Sequence, residues 1–530
     1  MQDNPPYHFS EAERPNVAGA PYLPPHTLAR RIAYVVVALL MSLSGTFGNS
    51  LITENLAQLA GGYSAYSAEM VWLTGAFVGV GACSNLFVIK GRQQLGLPLM
   101  LFGALGLYAL AAAADVVFAN LPTAILSRAA NGLATSTAVA ASVYYLMSAL
   151  PASKRILAVA TPIACVQLAQ PLARLVPVDF LTTDSNTTLR LLVMLIPLLQ
   201  IVLLALNPLP PTYRIKVFEW LDGVTGPLVA CGAVMLGCAL AAAATYWWTD
   251  AAFVGELLIG AALTLGLALV IEARRTRPQI DIAWLTHRRI AAFMGIALLE
   301  RISLALQTSS APGVLALRSL NNDQYHVLFG WVALAMLAGI VTMLVTLGPK
   351  SLLYQMVAAL GCIALGALLA CTSNGSVSPQ DLIPSQCLIG FGATLFAGPA
   401  LLFSISQVLK QGTQVLVPTV LVFAATQNLG SVLGSALLGS IQYASQQYAI
   451  AGYANRLAVT SPLVAPQALS TLSNQISQQA AVIGYLNSFR VVVVIALAAI
   501  AVILANAAYS TYLNRTSYRT SHRTSQRKPQ

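Results

Sequence analysis

The stretch LSRAANGLATSTAVAASVYYLMSALPASKR, residues 126–155, sets a permanent cation, Arg128, at the head of a long run of apolar and small residues that ends in Pro151, Lys154 and Arg155. On a soluble core helix Arg128 would be a snorkelling surface residue. In a helix that spans a bilayer it would lie below the headgroups, where an ionisable group marks function. Composition decides between the two. With 57% hydrophobic and 8% charged residues and a mean hydropathy of +0.72, the chain of 530 residues has too few polar groups to coat a soluble body. The expected fold class is an all-α polytopic membrane protein.

Outward from this stretch, fourteen apolar segments recur with short polar breaks, each close to the ~20 residues that cross a hydrocarbon core of about 30 Å. Basic residues orient them, because Lys and Arg accumulate in cytoplasmic loops. Twenty-one of the 28 fall in every second loop or in the tails, among them Arg14, Arg30, Arg31, Lys90, Arg92, Lys154, Arg155, Arg275, Lys350 and Lys410. Four (Arg190, Arg318, Arg456, Arg490) fall in or beside the alternate loops, and three (Arg128, Arg174, Arg301) within spans. Both termini are therefore expected in the cytoplasm. The net charge of +11 reads as topology, and nucleic acid is not an expected partner. A polar, Pro-rich head precedes the first apolar run, which is long enough to span and to act as its own insertion signal. The head, 1–31, and the basic tail, 510–530, are too polar to pack and are expected to be disordered, with the tail in reach of anionic membrane lipid.

Other chemistries find no residues to carry them. The seven cysteines (83, 165, 231, 238, 362, 371, 387) lie almost wholly within spans, where a thiol behaves as a small apolar group. Cys371 and Cys387 flank one outer loop and leave open a bridge or two packed thiols. No Cys or His spacing suits a metal, no phosphate-binding glycine loop is present, and neither an enzyme nor a cofactor is expected. A secondary transporter remains, or less simply a channel or sensor.

Arg128, Gly132, Pro151, Lys154 and Arg155 resemble the R-x-x-x-G and P-x-x-x-R signature of helix 4 in the major facilitator superfamily. More narrowly, the chain is similar to the fourteen-helix drug:proton antiporters of the EmrB/QacA type. LSGTFGNSLITENLAQL (43–59) resembles that family's helix 1, with Thr46 and Asn49 in place. FEWLDGVTG (218–226) resembles the entry to its first inserted helix, and RPQIDIAWLTHRRIAAF (277–293), with Asp281 and Arg288 or Arg289, the entry to helix 9. LIGFGATLFAGPALLFS (388–404) and NQISQQAAVIGYLNSFR (474–490) resemble helix 12 and the start of the last helix. The resemblance implies a major facilitator fold of 6 + 2 + 6 helices. That places six-helix bundles at 32–207 and 290–509, a linker with the extra pair at 208–289, and alternating access to a midplane site.

Departures from the pattern are as informative. The helix 1 Asp of the family is Ser44. The loop NLFVIKGRQQLG (85–96) keeps Lys90, Arg92 and Gly96 but lacks the family's Asp, and the helix 5 glycine motif reads QPLARL (170–175), with Gln170, Arg174 and Leu175 instead of glycines. Small residues let membrane helices approach closely, so Arg174 and Leu175 are expected to hold helix 5 off its partner. Arg174 then either snorkels outward or lines the outer half of a cavity.

Candidate site residues follow from depth. Glu300, in GIALLERISLALQ (295–307), is about ten residues or 15 Å into its helix, the bilayer middle, whereas the other carboxylates read as lying at helix ends or in loops. It is the expected proton-coupling acid, its competing role being a static interhelical pair. Arg301 follows it but points about 100° away and needs a different partner. Arg128 is expected to shape the proton route. Asn49, Gln167, Gln170, Arg174, Arg301, Gln307, Gln427 and Asn428 are candidates for a substrate cavity, and Lys90, Arg92, Lys154 and Arg155 for a cytoplasmic gate. Gly430 and Gly434 read as a packing face, and Pro312 and Pro399 as kinks. Residues 441–485 form the one large outer segment and read as an amphipathic hairpin arm.

The expected function is proton-linked efflux of amphipathic small molecules, drugs or metabolites, from a bacterial inner membrane. A uniporter or importer and a transport-inactive sensor are the alternatives. Related Gram-negative pumps imply a periplasmic adaptor as a partner at the outer side. The span cations Arg174 and Arg301, set against one deep acid, favour anionic substrates.

Overall fold

A chain inside a bilayer has no water to hydrogen-bond with, so each apolar segment satisfies its backbone by coiling into a helix. The computed structural model describes residues 21–66, 68–151, 154–177, 187–212, 214–275, 286–320, 322–348, 351–372, 377–408, 416–458 and 466–525. Arg14, Asp281, Lys350, Lys410 and most of the polar head lie outside them.

The helices in chain order are α1 Leu28–Thr53, the short α2 Leu56–Gly62, α3 Val71–Gln94, α4 Leu97–Phe118, α5 Leu121–Ala149, α6 Arg155–Val166, α7 Ala169–Ala173 and α8 Thr187–Leu206. There follow α9 Asp222–Ala243, α10 Ala252–Ala273, α11 Arg288–Ala305, α12 Ala311–Ala316, α13 Asn322–Thr346, α14 Leu352–Ala370, α15 Ile383–Val408, α16 Leu416–Ala458 and α17 Pro466–Ser525. The described residues contain no strand, only an isolated bridge between Pro21 and Thr212.

Ten helical segments among the described residues are long and apolar enough to cross a membrane, and the chain is a multi-pass membrane protein. Four further segments expected from the sequence correspond to α3, α5, α11 with α12, and α16; the described part of α3, Val71–Asn85, is apolar but shorter. All four contribute polar residues to the central cavity described below.

Helices α1 and α3–α8 pack around one core that includes Tyr34, Met41, Tyr108 and Tyr145. Helices α11–α17 enclose another, with Phe329, Phe396 and Phe489. Helix α9 rests on α3 from the first group and α16 from the second, with α10 behind it. The α3–α9 seam is backbone against backbone. A Cβ on Gly79 would stand 2.3 Å from Val234 Cα, so only glycine allows this approach. Gly430 and Gly434 lie against α11, as a packing face would.

Two helices break where proline removes a backbone donor. Pro171 cannot bond to the Gln167 carbonyl, and the chain turns at 167–168 between α6 and α7. Before Pro312, residues Leu306–Ser310 form a π-helical turn between α11 and α12. By contrast α15 runs unbroken through Pro399.

The tail departs from expectation. Helix α17 continues to Ser525, because no proline interrupts it between Pro466, its first residue, and Pro529. The arm is helical on both sides: α16, at 43 residues or about 64 Å, outruns a 30 Å hydrocarbon core. Its Gln442 Nε2 donates to Ser310 Oγ of the π turn at 2.9 Å, and Tyr448 is 85% exposed. All seven cysteines, Cys371 and Cys387 included, are free thiols.

Candidate functional site

Between the two helix groups lies a cavity of about 880 Å³. It draws on α1, α3, α5, α6, α11, α15 and α16, and it runs from Glu54 to the ends of α3, α5 and α6 that carry Arg92, Tyr144 and Arg155. The face that bears those residues, together with Arg30, Lys90 and Arg275, is called the basic face below; the opposite one is the far face. Of the residues singled out from the sequence, Asn49, Gln167, Gln170, Arg301, Gln307, Gln427 and Asn428 all line this cavity, and so do Arg92 and Arg155.

At mid-depth Arg301 ties the groups together. Its Nε donates to the Gln427 carbonyl of α16 and its Nη1 to Gln167 Oε1 at the helix break, both at 3.2 Å. Glu300 is fully buried and, among the described residues, makes no hydrogen bond of ordinary geometry; the Gln427 amide and the Arg301 guanidinium are described polar groups that bear on it. Gln307, from the π turn, donates to the Gln386 carbonyl of α15 at 3.1 Å.

Arg128 is 3% exposed. Its Nη2 donates to Asn49 Oδ1 and, at 3.4 Å, to Thr53, and its guanidinium lies 5.1 Å from the Phe77 ring centre. Outward snorkelling is therefore not what it does: it faces the first helix group's interior. Gly132, one turn on, lets α5 close on α3, since a Cβ there would be 2.6 Å from the Phe77 carbonyl oxygen. Ser44 accepts from Gln200 Nε2 at 2.7 Å.

At the far end the cavity stops at Glu54, which pairs with Arg174 of the α7 C-terminus. Arg174 is 5% exposed and lies 4.9 Å from the Phe329 ring centre and 6.0 Å from that of Tyr325, both on α13. It joins α1, α7 and α13 instead of snorkelling.

At the basic face the four gate candidates do not converge. Lys90 Nζ donates to both Asp222 oxygens at 2.7 and 2.8 Å. Arg275 meets the same carboxylate at 2.9 Å, Glu219 at 2.9 Å and Glu272 at 2.6 Å. Burial works against the Arg275 charge, but its hydrogen bonds to Glu219, Glu272 and Asp222 outweigh it and hold the guanidinium above its ordinary range. This cluster fastens α9 and α10 to α3. Arg92 donates to the Tyr144 hydroxyl instead, and Lys154 is exposed. Asp222→Asn takes the carboxylate from buried Lys90, while Arg275 keeps Glu219 and Glu272, and is expected to cost about 3–5 kcal/mol. The thermal midpoint of the purified protein checks this, and an unchanged midpoint speaks against the cluster as a fastener.

Sequence reasoning missed three further buried carboxylates besides Asp222. Asp115 accepts from the Tyr63 hydroxyl at 2.9 Å, Glu54 holds Arg174, and Glu272 holds Arg275. Each sits at a helix end that the hydropathy pattern places near the interface, and the partners of Asp115 and Glu54 lie 52 and 120 residues off in the chain, whereas that of Glu272 is three residues on. Each also has a cation or hydroxyl in bonding contact. Glu300 does not, so it still stands apart from them.

No protein-family model and no curated protein matches the sequence. Solved structures do match in shape. The proton:xylose symporter XylE bound to 6-bromo-6-deoxy-D-glucose aligns with a TM-score of 0.52 at 15% identity, over 87% of this chain and 95% of its own. Tetrameric PepTSo2 aligns with 0.56 at 13%, over 91% and 99%. The human organic anion transporter MFSD10 (TETRAN) aligns with 0.52 at 12%, over 88% and 99%. XylE is a major facilitator superfamily protein by its own description, and it superposes across nearly the whole of this chain. With two helix groups around a central cavity, the chain has the major facilitator fold.

Proposed function

We propose that this protein is a secondary active transporter, a proton-linked exporter of amphipathic organic compounds that works by alternating access. The observation that carries the reading is the cavity between the helix groups, which is lined by Arg92, Tyr144 and Arg155 toward the basic face and by Glu54, the partner of Arg174, toward the far one. Taking the basic face as cytoplasmic, this is the inward-facing state of a rocking pair of bundles. Walls of valine, leucine and phenylalanine broken by a few amides and guanidiniums suit a ligand with an apolar body and a polar group. Glu300 is the proton carrier on this reading, and Arg128 shapes the route to it.

A second reading, a symporter or uniporter that imports a small solute, draws on two observations. Ser44 is engaged with Gln200 and carries no proton, and one structural neighbour is described as a proton:xylose symporter. A disruption strain separates the readings. Hypersensitivity to several amphipathic compounds is the expected result; failure to use one nutrient, with ordinary resistance, favours import. Neither phenotype points to a membrane sensor.

A further inference from the structure

Of the cations in the cavity, Arg92 is in the most demanding setting. It is 5% exposed, its Nη1 donates to the Tyr144 hydroxyl, and its Nε and Nη2 are buried with no hydrogen-bond partner among the described residues. Arg155, the first residue of α6, lines the same end and has its Nε in the same condition. Neither takes part in an ion pair among the described residues. Arg301 adds a third guanidinium at mid-depth. Among the described residues the one carboxylate in the lining, Glu54, is at the far end and is already neutralised by Arg174.

Buried guanidinium N–H groups left without acceptors are costly, and a planar fork of donors matches a carboxylate, sulfonate or phosphate group. We propose that Arg92 and Arg155 form an anion subsite at the basic end of the cavity, and that the ligands are amphipathic organic anions. The anionic group binds at this subsite, while the apolar body extends into the cavity between α3 and α16, toward Phe423. Arg174 does not contribute to this preference, since Glu54 cancels its charge. The inference rests on the cavity being a ligand site, as under the proposed function, but not on proton coupling or on the direction of transport.

Two xanthene dyes of similar size and opposite charge, carboxyfluorescein and rhodamine 6G, serve as probes. Equilibrium binding to the purified full-length protein in nanodiscs is followed by fluorescence anisotropy, apart from any flux measurement. Carboxyfluorescein is expected to bind saturably and more tightly than rhodamine 6G. Its affinity should fall about tenfold or more in Arg92→Gln and in Arg155→Gln, while rhodamine 6G is unaffected or improved. Arg92→Lys, which keeps the charge and guards against a folding defect, should retain part of the affinity. Added salt should weaken only the anion. Tighter binding of the cation, no saturable binding of the anion to wild type, or equal losses for both dyes in the Arg92 variants overturns the proposal. Equal losses would assign Arg92 to a gating contact. A pH step across proteoliposomes tests transport separately, so anion binding without flux sinks the transporter reading and leaves the subsite standing.

Discussion

Glu300→Gln is expected to abolish transport driven by a pH gradient while leaving expression and dye binding near wild type. Gln matches Glu in size and keeps a hydrogen-bonding head, but it cannot take up or release a proton. The position is fully buried, flanked by the Gln427 amide and the Arg301 guanidinium. Arg301 in turn reaches α16 and the break in α6–α7. A proton on Glu300 removes a charge beside this link between the helix groups, and that is the kind of change that biases a two-state equilibrium. Flux into proteoliposomes under an imposed pH step should fall about 100-fold, the low end for loss of an essential proton-transferring group. Arg128→Lys should fail as well, because a compact ammonium lacks the planar guanidinium that lies against the Phe77 ring while its Nη2 bonds Asn49 and Thr53. Wild-type flux in Glu300→Gln would reduce Glu300 to a packing residue. A wild type indifferent to the gradient would end the coupled reading and favour uniport.

What the sequence could and could not disclose divides along physical lines. Membrane character, the depth of Glu300 and the polar positions that face the cavity follow from local composition and helical geometry, and these were legible in one dimension. So was the irregularity at Pro312, where a π turn interrupts the helix, whereas the break before Pro171 was not read. The ion pairs were not. Lys90 and Asp222 are 132 residues apart and Arg174 and Glu54 are 120 apart, and nothing in either segment marks the other. Lys90 and Arg92 illustrate the limit. They read as a single gate motif, yet one fastens α9 and the other turns to Tyr144, because helical residues two apart do not face the same side. The tail misled for a different reason: polarity was read as disorder, whereas a helix already started by an apolar span continues until a breaker stops it.

Phe329→Leu is expected to open the far face. In this state Arg174 is held by Glu54 within the first helix group and lies 4.9 Å from the Phe329 ring centre in the second, so the ring contact crosses the boundary that must part when the cavity opens outward. Removing Arg174 itself would strand a buried carboxylate and mix a stability defect with the gating effect. Leucine fills much of the ring's volume, leaves the Glu54 pair intact and removes the nearer π face; among the described residues Tyr325, at 6.0 Å, is the other ring beside Arg174. A desolvated cation–π contact of about 2 kcal/mol corresponds to roughly a 30-fold shift between two states. The reporter is a cysteine at Gln170, which lines the cavity, in a background without the seven native cysteines. A membrane-impermeant maleimide applied from the far side should label it faster in Phe329→Leu than in the Phe329 parent. Labelling from the basic side should slow by a similar factor, since both rates report one equilibrium. If the far-side rate is unchanged in Phe329→Leu and also in Arg174→Gln, the cluster does not hold the far face shut, and Arg174 only packs α7 against α1.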